Sequence, residues 1–521
     1  MKLFIDKFSN LVKGTISGFD RIVFKGLVLP LMSTSEVMTF CRYKGILNKD
    51  YKKWIVKQTK IIIDNADQYA RVNCGHPIIH IPTWRIRKEK LAHEQQKKGN
   101  ILSGLIGVWS CLERGSSYRA VYCAEAGFPQ LKHYQVQCKH LYFYFDDIEY
   151  GFMNIRLQTW FPYHIQICLN GREWLRRALE KEGIKFFVHG NKFLYIEDYQ
   201  KAQQLLDKQL DIRFTDMLND FALRIFPDMK DILGPYLSYY WTLWQSEWAT
   251  DFIFDTSASL KSIMDSLLRY AHIAGTSCRV LRYLDRPVTK SGRPDNRAQD
   301  TVVTRITDFN DGIRLRHWVD HNSVKIYNEQ NNLRVETTIN DPGKFKVFRH
   351  KQGQDKKETK QRLPLRKGVM DTPLRAAVSQ DVNNRLMDDL SFLKEETPLC
   401  NIMDGLIKGI IKNGRKFRGL DPVGKDRELI LLLTDPAFMI SGFTNKMLRN
   451  DLSNVSFGSG RRDKQLSAKV SRHLKLLRVH GIIRKLPRQN RYQVTIKGMQ
   501  LAKALNALLA ASTENLLKMA A

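Results

Sequence analysis

The segment that decides the fold is GIRLRHWVDHNSVKIYNEQNNLRVETTI, residues Gly312–Ile339. Apolar and polar side chains alternate through it in three short runs, which are separated by breaks rich in Asp and Asn. Alternation with a period of two, interrupted by such breaks, predicts an antiparallel β-meander. The side chains that would share its apolar face are Ile313, Leu315, Val319, Val324, Ile326, Leu333, Val335 and Ile339.

The opposite face of this meander collects cations, aromatic rings and one carboxylate. Its members are Arg314, Arg316, Trp318, Lys325, Tyr327, Arg334, Glu336 and Thr338. Such a face suits a phosphodiester, with Arg314 and Arg316 as nucleic-acid contacts. It equally suits a solvated surface on which Glu336 pairs with Lys325 or Arg334, and an exposed pair of that kind contributes about 0–1 kcal/mol.

The run VKIYN followed by LRVETTI resembles the "YxK … RxE" strand pair of the rolling-circle replication initiators of plasmids and phages. In those proteins the strands line a metal-dependent DNA-nicking site. The resemblance implies Tyr327 as nucleophile, Glu336 as ligand of a divalent metal (Mg²⁺ or Mn²⁺), and Lys325 and Arg334 as catalytic cations. The chain departs from that pattern at Asn328-Glu329, where such proteins tend to carry a lysine.

The overall charge favours a polyanionic partner. The 521 residues include 84 Lys and Arg against 53 Asp and Glu, which gives a net charge of +31 and a pI near 9.7. Nucleic acid is the leading interpretation, and an acidic membrane surface or an acidic protein is the alternative. The amino terminus has no secretory pattern and no run of about 18 apolar residues occurs, so no membrane span is expected. The eight cysteines lack CxxC spacing and are typical of a cytoplasmic protein.

A second meander is predicted over residues 140–169, from His140–Phe145, Met153–Trp160 and Tyr163–Leu169. His164 and Gln166 lie two residues apart, so their side chains share a sheet face about 7 Å apart. The triplet resembles a variant of the metal motif of replication nickases. It implies His164 and Gln166 as partners of Glu336 at the metal, with Arg156 as a further phosphate contact. A plain polar-lined sheet remains the alternative.

Three further patterns lie outside the meanders. The segment PYLSYYWTLWQSEWATDFIF has helical spacing, which predicts Trp241, Trp244 and Trp248 on one stripe. On such a helix Glu247 and Asp251 would share a face and either bind Mg²⁺ or form salt bridges. Asp20, in the predicted strand GFDRIVFKG, is either an acid on a central strand, as in some nuclease folds, or part of a local ion pair.

The carboxyl-terminal part has the clearest local signal. A helix, a second helix capped at Thr444, the helix LSAKVSRHLKLLRVH, the hairpin IIRKLPRQNRYQVT and a closing helix follow in order. This order resembles a winged helix-turn-helix of the MarR and ArsR kind. The resemblance implies nucleic-acid contacts from the helix (Lys469, Arg472, Lys475 and Arg478) and from the wing (Lys485, Arg488 and Arg491). Use of the same fold for protein or RNA contacts is the alternative.

Together these patterns predict an α+β fold with antiparallel sheets and packed helices, an all-helical segment and a carboxyl-terminal winged helix-turn-helix. The predicted regions are an α/β region (1–135), an α+β meander unit (136–210), a helical region (211–300), the central meander (301–350), a basic linker (351–370), a helical connector (371–424) and the winged helix (425–521). The whole chain resembles a widespread bacterial family of large basic proteins that ends in the same block.

The leading functional hypothesis is a nucleic-acid-binding protein of a bacterial mobile element that nicks or processes DNA or RNA with a divalent metal. A non-catalytic ribonucleoprotein subunit or regulator that binds structured RNA or duplex DNA is the alternative. A third interpretation is a transcription factor with a large sensor domain.

Overall fold

A computed structural model describes the side chains and backbone over most of the chain. The described residues are 1–83, 85–286, 301–310, 312–351, 359–391, 399–412, 414–433, 438, 442–486, 490–510 and 512. Within them the protein is a mixed α+β structure built on one large sheet, as the sequence predicted for the fold class.

The large sheet has eleven strands in the order β10-β11-β12-β13-β9-β1-β6-β5-β4-β3-β2. All neighbours are antiparallel except β2 and β3, which are parallel. Its strands are β1 (Val12–Leu27), β2 (Ile79–Ile81), β3 (Gly104–Cys123), β4 (Phe128–Asp147), β5 (Gly151–Gln158), β6 (Ile165–Asn170), β9 (Tyr240–Phe254), β10 (Val302–Phe309), β11 (Gly312–Val319), β12 (Asn322–Glu329) and β13 (Asn332–Ile339). The remaining strands form two-stranded hairpins: β7 (Phe186–His189) with β8 (Lys192–Ile196), β14 (Lys346–Arg349) with β15 (Gln361–Pro364), β16 (Ile410–Lys412) with β17 (Arg415–Phe417), and β18 (Ile483–Lys485) with β19 (Tyr492–Val494).

Helices cover both faces of the sheet and build the carboxyl-terminal part. They are α1 (Lys2–Lys7), α2 (Thr34–Tyr43), α3 (Tyr51–Cys74), α4 (Lys88–Gly99), α5 (Gly171–Lys181), α6 (Tyr199–Lys208), α7 (Phe214–Ile225), α8 (Met229–Leu233), α9 (Ser257–Ala274), α10 (Ser277–Tyr283), α11 (Thr372–Leu390), α12 (Leu399–Ile407), α13 (Arg427–Leu432), α14 (Asn445–Leu452), α15 (Asp463–Val479) and α16 (Ile496–Ala510). No helix among the described residues has both the length and the apolar composition needed to cross a bilayer.

The central meander is confirmed as strands β11, β12 and β13. Except for the half-buried Ile313, its predicted apolar side chains pack with α1, α9, α10 and α11 into one hydrophobic core, in which Leu333 and Val335 are fully buried. The sequence also predicts that Asn170 caps a helix and that a hairpin turns at His189-Gly190-Asn191, and both predictions are confirmed. The Asn170 side chain caps α5 by accepting from the backbone amides of Arg172 and Glu173, and Gly190 takes a positive φ at the turn between β7 and β8.

The helix predicted over residues 235–254 is wrong, because Tyr240–Phe254 is strand β9 between β13 and β1. The region 211–300 is therefore not wholly helical, and Glu247 and Asp251 do not form a helical pair. Trp241 and Trp248 are buried while Trp244 is 43% exposed, so the three rings share no stripe. A strand buried on both faces lacks clean alternation, which explains the apparent helical spacing.

The boundaries predicted at residues 135 and 300 do not separate sheets. Strand β1 pairs with β6, strand β9 pairs with β13, and β1 pairs with β9, so both meanders belong to one continuous sheet. The sequence also predicts two separate strands, Leu105–Leu112 and Tyr118–Cys123, but these residues form one strand, β3, which pairs with β4 over nearly its whole length.

Two irregularities in the β1–β9 ladder redirect individual side chains. Phe19 pairs with Trp248 and Arg21 with Glu247, so Asp20 is an extra residue on β1. Val23 pairs with Gln245 and Phe24 with Leu243, so Trp244 is an extra residue on β9. Such bulges re-aim a side chain and are common next to functional sites.

Helices α13 to α16 and the hairpin β18–β19 surround a separate hydrophobic core. Thr444 caps α14 by accepting from the backbone amide of Met447, as predicted. The order of helices and hairpin therefore agrees with the order predicted for this part of the chain.

We expect the Leu333→Ala variant to lower the free energy of unfolding by about 2–5 kcal/mol, because it leaves a cavity in the core beneath the meander. Urea denaturation followed by circular dichroism measures the change. The matched control is Ile306→Ala on strand β10, whose side chain is 50% exposed, and which we expect to change stability by less than about 0.5 kcal/mol. Equal losses in the two variants would contradict the burial described here.

Candidate functional site

Three carboxylates meet where strands β13, β9 and β1 lie side by side. Asp20 comes from the bulge of β1, Glu247 from β9 and Glu336 from β13, and one oxygen of each lies within 4.8 Å of the others. Asp20 and Glu336 are buried and Glu247 is half-buried. We call these three residues the acidic triad.

A buried arginine supports the triad from below. Arg334 is 1% exposed and donates from Nη1 to Asp20 at 2.9 Å, from Nη2 to the Asn191 carbonyl at 2.8 Å, and from Nε to Asp251. Asp251 is fully buried and also forms an ion pair with Arg172 at 3.0 Å. This network joins the sheet to α5 and to the β7–β8 hairpin, and it fixes the orientation of Asp20.

Glu336 is held by the neighbouring strand β12. The Tyr327 hydroxyl donates to its Oε2 at 2.8 Å, and the Lys325 ammonium lies 2.6 Å from its Oε1. Glu336 is 1% exposed, so its carboxylate is surrounded by protein groups rather than by solvent. The predicted pairing of Glu336 with Lys325 is therefore confirmed, whereas Arg334 pairs with Asp20 and Asp251.

Crowding and burial shift the protonation of the triad. Burial, with repulsion from Glu336, raises the pKa of Glu247 to about 7. Burial also raises the pKa of Asp20, although the Arg334 guanidinium opposes the shift. Asp251 behaves oppositely: burial raises its pKa, but Arg334 and Arg172 lower it by more, so it lies below its ordinary value. Burial and the neighbouring carboxylates therefore favour the protonated forms of Glu247 and Asp20.

Carboxylate oxygens at this spacing match the ligands that Mg²⁺ and Mn²⁺ prefer. The site faces solvent on the side of Glu247. There Arg21 is exposed and lies directly opposite Glu247 in the register of strands β1 and β9. A cation bound by the triad would therefore be reachable from this side.

The predicted metal partners His164 and Gln166 do not join Glu336. Gln166 pairs with Lys25 on β1, whereas Glu336 pairs with Ala249, which is opposite Gly18 on β1. At about 3.3 Å per residue this offset alone exceeds 20 Å. His164 and Gln166 instead line a cavity with Lys25 and Arg156, so the prediction that they complete a metal site with Glu336 is wrong.

Two predicted catalytic roles do not suit the observed positions. Tyr327 is 5% exposed, and burial together with Glu336 holds its pKa well above the ordinary value, so its oxygen is a poor nucleophile. Arg334 is buried with its donors engaged by Asp20, Asp251 and Asn191, so it does not reach a phosphate. Both residues position the triad instead.

The other predicted cations lie nearer the surface. Arg314 and Arg316 are half-buried on the polar face, where they stack on Phe309 and Trp318 at 4.9 and 4.4 Å from the ring centroids. Arg156 donates to Glu113 at 2.7 Å. From the sequence, Asp20 and Glu247 belonged to separate hypotheses, and neither was predicted to lie near Glu336. Arg21 and Lys25 were expected only as partners of Asp20 in a local ion pair, whereas Asp20 forms its ion pair with the distant Arg334.

In the carboxyl-terminal part, an open cleft of about 740 Å³ runs along α15. Arg472 and Lys475 are exposed and line it, whereas Lys469 donates to the Phe457 carbonyl at 2.8 Å. Among the remaining predicted contacts, Arg478 and Lys485 are exposed, Arg491 is half-buried, and Arg488 lies outside the described residues.

Neither protein-family models, nor curated proteins, nor solved structures gave a match to this chain. The resemblances to replication initiators and to winged-helix regulators therefore stay predictions.

A pH dependence follows from the raised pKa of Glu247. The contribution of Glu247 to the free energy of unfolding is fully present below the ordinary glutamate pKa of 4.5. It is lost as the pH rises through about 7. A divalent cation needs the ionised carboxylates and would offset that loss. We expect Mn²⁺ to raise the melting temperature by about 2 °C or more at pH 8 and by less at pH 6.

Thermal unfolding with and without Mn²⁺ at the two pH values measures this effect. The Glu247→Gln variant should lose the Mn²⁺-induced difference, while Glu125→Gln, an exposed glutamate between β3 and β4, should keep it. An equal response of all three proteins would contradict cation binding by the triad.

Proposed function

We propose that this chain binds nucleic acid and hydrolyses phosphodiester bonds with a divalent cation held by Asp20, Glu247 and Glu336. The single observation that supports this proposal is the convergence of these three carboxylates from three adjacent strands in the middle of the large sheet. Such a role agrees with the processing activity expected of a protein from a bacterial mobile element.

When bound, a divalent cation would activate a water molecule and polarise a phosphate oxygen. In the proposed reaction the water oxygen would attack phosphorus, the bond from phosphorus to the leaving oxygen would break, and the leaving oxygen would take up the proton that the water loses. Lys325 and Arg21 supply positive charge beside the triad, where negative charge develops on the phosphate. Tyr327 and Arg334 orient Glu336 and Asp20.

The carboxyl-terminal part would hold the substrate. Its helices and hairpin follow the order of a winged helix-turn-helix, in which α15 would enter the major groove and β18–β19 would contact the backbone. The exposed Arg472 and Lys475 on α15, and the Lys416 and Arg461 side chains across the cleft, favour contacts with phosphates.

The alternative is a non-catalytic subunit or regulator that clamps RNA or DNA. One observation favours it: the triad already has partners in the protein, since Glu336 contacts Lys325 and Tyr327, and Asp20 contacts Arg334 and Asn191. A closed ion network of this kind is sufficient for a purely structural role.

We expect Glu336→Gln and Asp20→Asn to lower Mn²⁺-dependent cleavage of labelled DNA or RNA by about 100-fold or more, since loss even of a group that supports a metal ligand costs about 10- to 100-fold. Tyr327→Phe should weaken cleavage by about tenfold, and excess Mn²⁺ should restore it, because the hydroxyl only positions Glu336. Gel assays at several Mn²⁺ concentrations measure both effects.

Two outcomes would contradict this assignment. A covalent protein–nucleic acid adduct that disappears in Tyr327→Phe would make Tyr327 the nucleophile. Tight binding without cleavage of any single-stranded or duplex substrate, in Mg²⁺ or Mn²⁺, would favour the non-catalytic alternative.

A separate prediction concerns substrate binding by α15. The double variant Arg472→Gln/Lys475→Gln should bind duplex more weakly, and the slope of log affinity against log salt should become shallower by about 0.9 for each phosphate that the protein no longer neutralises. Fluorescence anisotropy at salt concentrations from about 50 to about 200 mM measures the slope, because binding through phosphate contacts weakens strongly over that range. The control Lys261→Gln removes an exposed lysine of α9 and should leave the slope unchanged; an unchanged slope in the double variant would contradict the role of α15.

A further inference from the structure

A second cavity lies on the same sheet, further along strands β1 and β9 from the acidic triad. It has a volume of about 320 Å³, and its lining includes Lys25, Arg114, Arg156, His164, Gln166 and Trp244. Glu247 and Trp244 are three residues apart on β9, which corresponds to about 10 Å. The Trp244 end of the cavity is therefore the end nearest the triad, and the cavity extends from it across β1, β6 and β5 to β4 and β3.

The charge of this cavity is unbalanced. Its described lining contains three cations, Lys25, Arg114 and Arg156, and no carboxylate. Arg156 has a counter-ion outside the cavity, Glu113 at 2.7 Å. Burial, together with Arg156 and Lys367, lowers the pKa of Lys25. Lys25 and Arg156 are half-buried and Arg114 is exposed, and an anion that entered the cavity would stabilise the charged form of Lys25.

Two neutral imidazoles add hydrogen-bonding capacity. Burial, with the nearby cations, lowers the pKa of His164 to about 3 and that of His140 to about 4. His164 Nε2 is buried and has no hydrogen-bond partner in the protein. A buried polar atom of this kind calls for a ligand or a water molecule, and a neutral imidazole can donate to a phosphate oxygen.

Trp244 supplies an aromatic platform at the mouth of the cavity. It is the bulged residue of β9 and is 43% exposed, although both flanking strands are mostly buried. The Lys25 and Lys367 ammoniums lie 4.8 and 5.0 Å from its ring centroid. Aromatic rings beside cations are the usual elements of sites for single-stranded nucleic acid, because bases stack on the ring while phosphates meet the charges.

We propose that this cavity is a subsite for a single strand of nucleic acid, with a phosphate held by Lys25, Arg114 and Arg156 and a base stacked on Trp244. The proposal rests on the proposed function, in that it places the strand a few nucleotides from the acidic triad. At about 3.4 Å per nucleotide along a helical strand, 10 Å corresponds to about three nucleotides. The subsite would set the register in which the strand crosses the triad.

The test measures binding without cleavage. Anisotropy of a labelled single-stranded oligonucleotide, as DNA and as RNA, is recorded in EDTA for the full chain and for Trp244→Ala, Trp244→Phe and Lys25→Gln. A second oligonucleotide carries abasic sites, which keep the phosphates and remove the bases. The control Tyr236→Ala removes an aromatic ring that is 89% exposed elsewhere on the surface.

We expect Trp244→Ala to weaken binding of the base-containing strand by about 5- to 150-fold and to leave binding of the abasic strand within about twofold. Trp244→Phe should retain most of the affinity, because a ring remains for stacking. Lys25→Gln should weaken both strands and reduce the salt slope by about 0.7. Tyr236→Ala should bind as the unaltered protein does.

Unchanged binding in Trp244→Ala, or an equal loss on the abasic strand, would overturn the stacking role. Unchanged binding and salt slope in Lys25→Gln would overturn the phosphate site. Because EDTA removes divalent cations, failure of catalysis at the triad would leave these results intact. Conversely, cleavage that depends on Glu336 while Trp244→Ala and Lys25→Gln bind normally would overturn the subsite alone.

Discussion

The ion pairing of Arg334 with Asp251 and Asp20 is the interaction on which the rest of the site depends. Burying these groups separately would cost several kcal/mol each, so they are tolerated only when strands β13, β9 and β1 are adjacent and in register. The register then determines what else meets there. Glu336 lies two residues after Arg334 on β13, which places it on the same face, and Glu247 faces it from β9.

The same network separates two kinds of carboxylate. Asp251 is fully buried and compensated by two arginines, so burial of its charge is tolerated and its role is structural. Glu247, on the same strand, has no comparable partner and carries a raised pKa. Titratable groups with such contrasting environments on one strand are a common mark of functional sites. The cavity beyond Trp244 differs from the triad, because its described lining holds three cations and no carboxylate, and Trp244 lies about 10 Å from Glu247 along β9.

Much of the fold could be predicted where the signal was local. Alternation predicted the meander of β11 to β13, and the capping residues Asn170 and Thr444 predicted where two helices begin. Strand β9 could not be predicted in this way, because it is buried on both faces and the bulge at Trp244 breaks its period of two. The site was predicted only in part: Glu336, Lys325 and Tyr327 share one local pattern, but Asp20 reaches Arg334 across 314 positions of sequence. No local pattern carries that pairing.

The order of strands has a consequence for how the chain is made. Strand β1 lies between β6 and β9, yet it ends at Leu27 while β9 begins at Tyr240. At about 5–20 residues per second of translation, one edge of β1 stays unpaired for about 10–40 s before β9 is synthesised. During that interval an apolar strand edge is open to wrong pairing, which is a recognised route to aggregation. Nascent chains of this protein should therefore depend on chaperones that shield strand edges until β9 arrives.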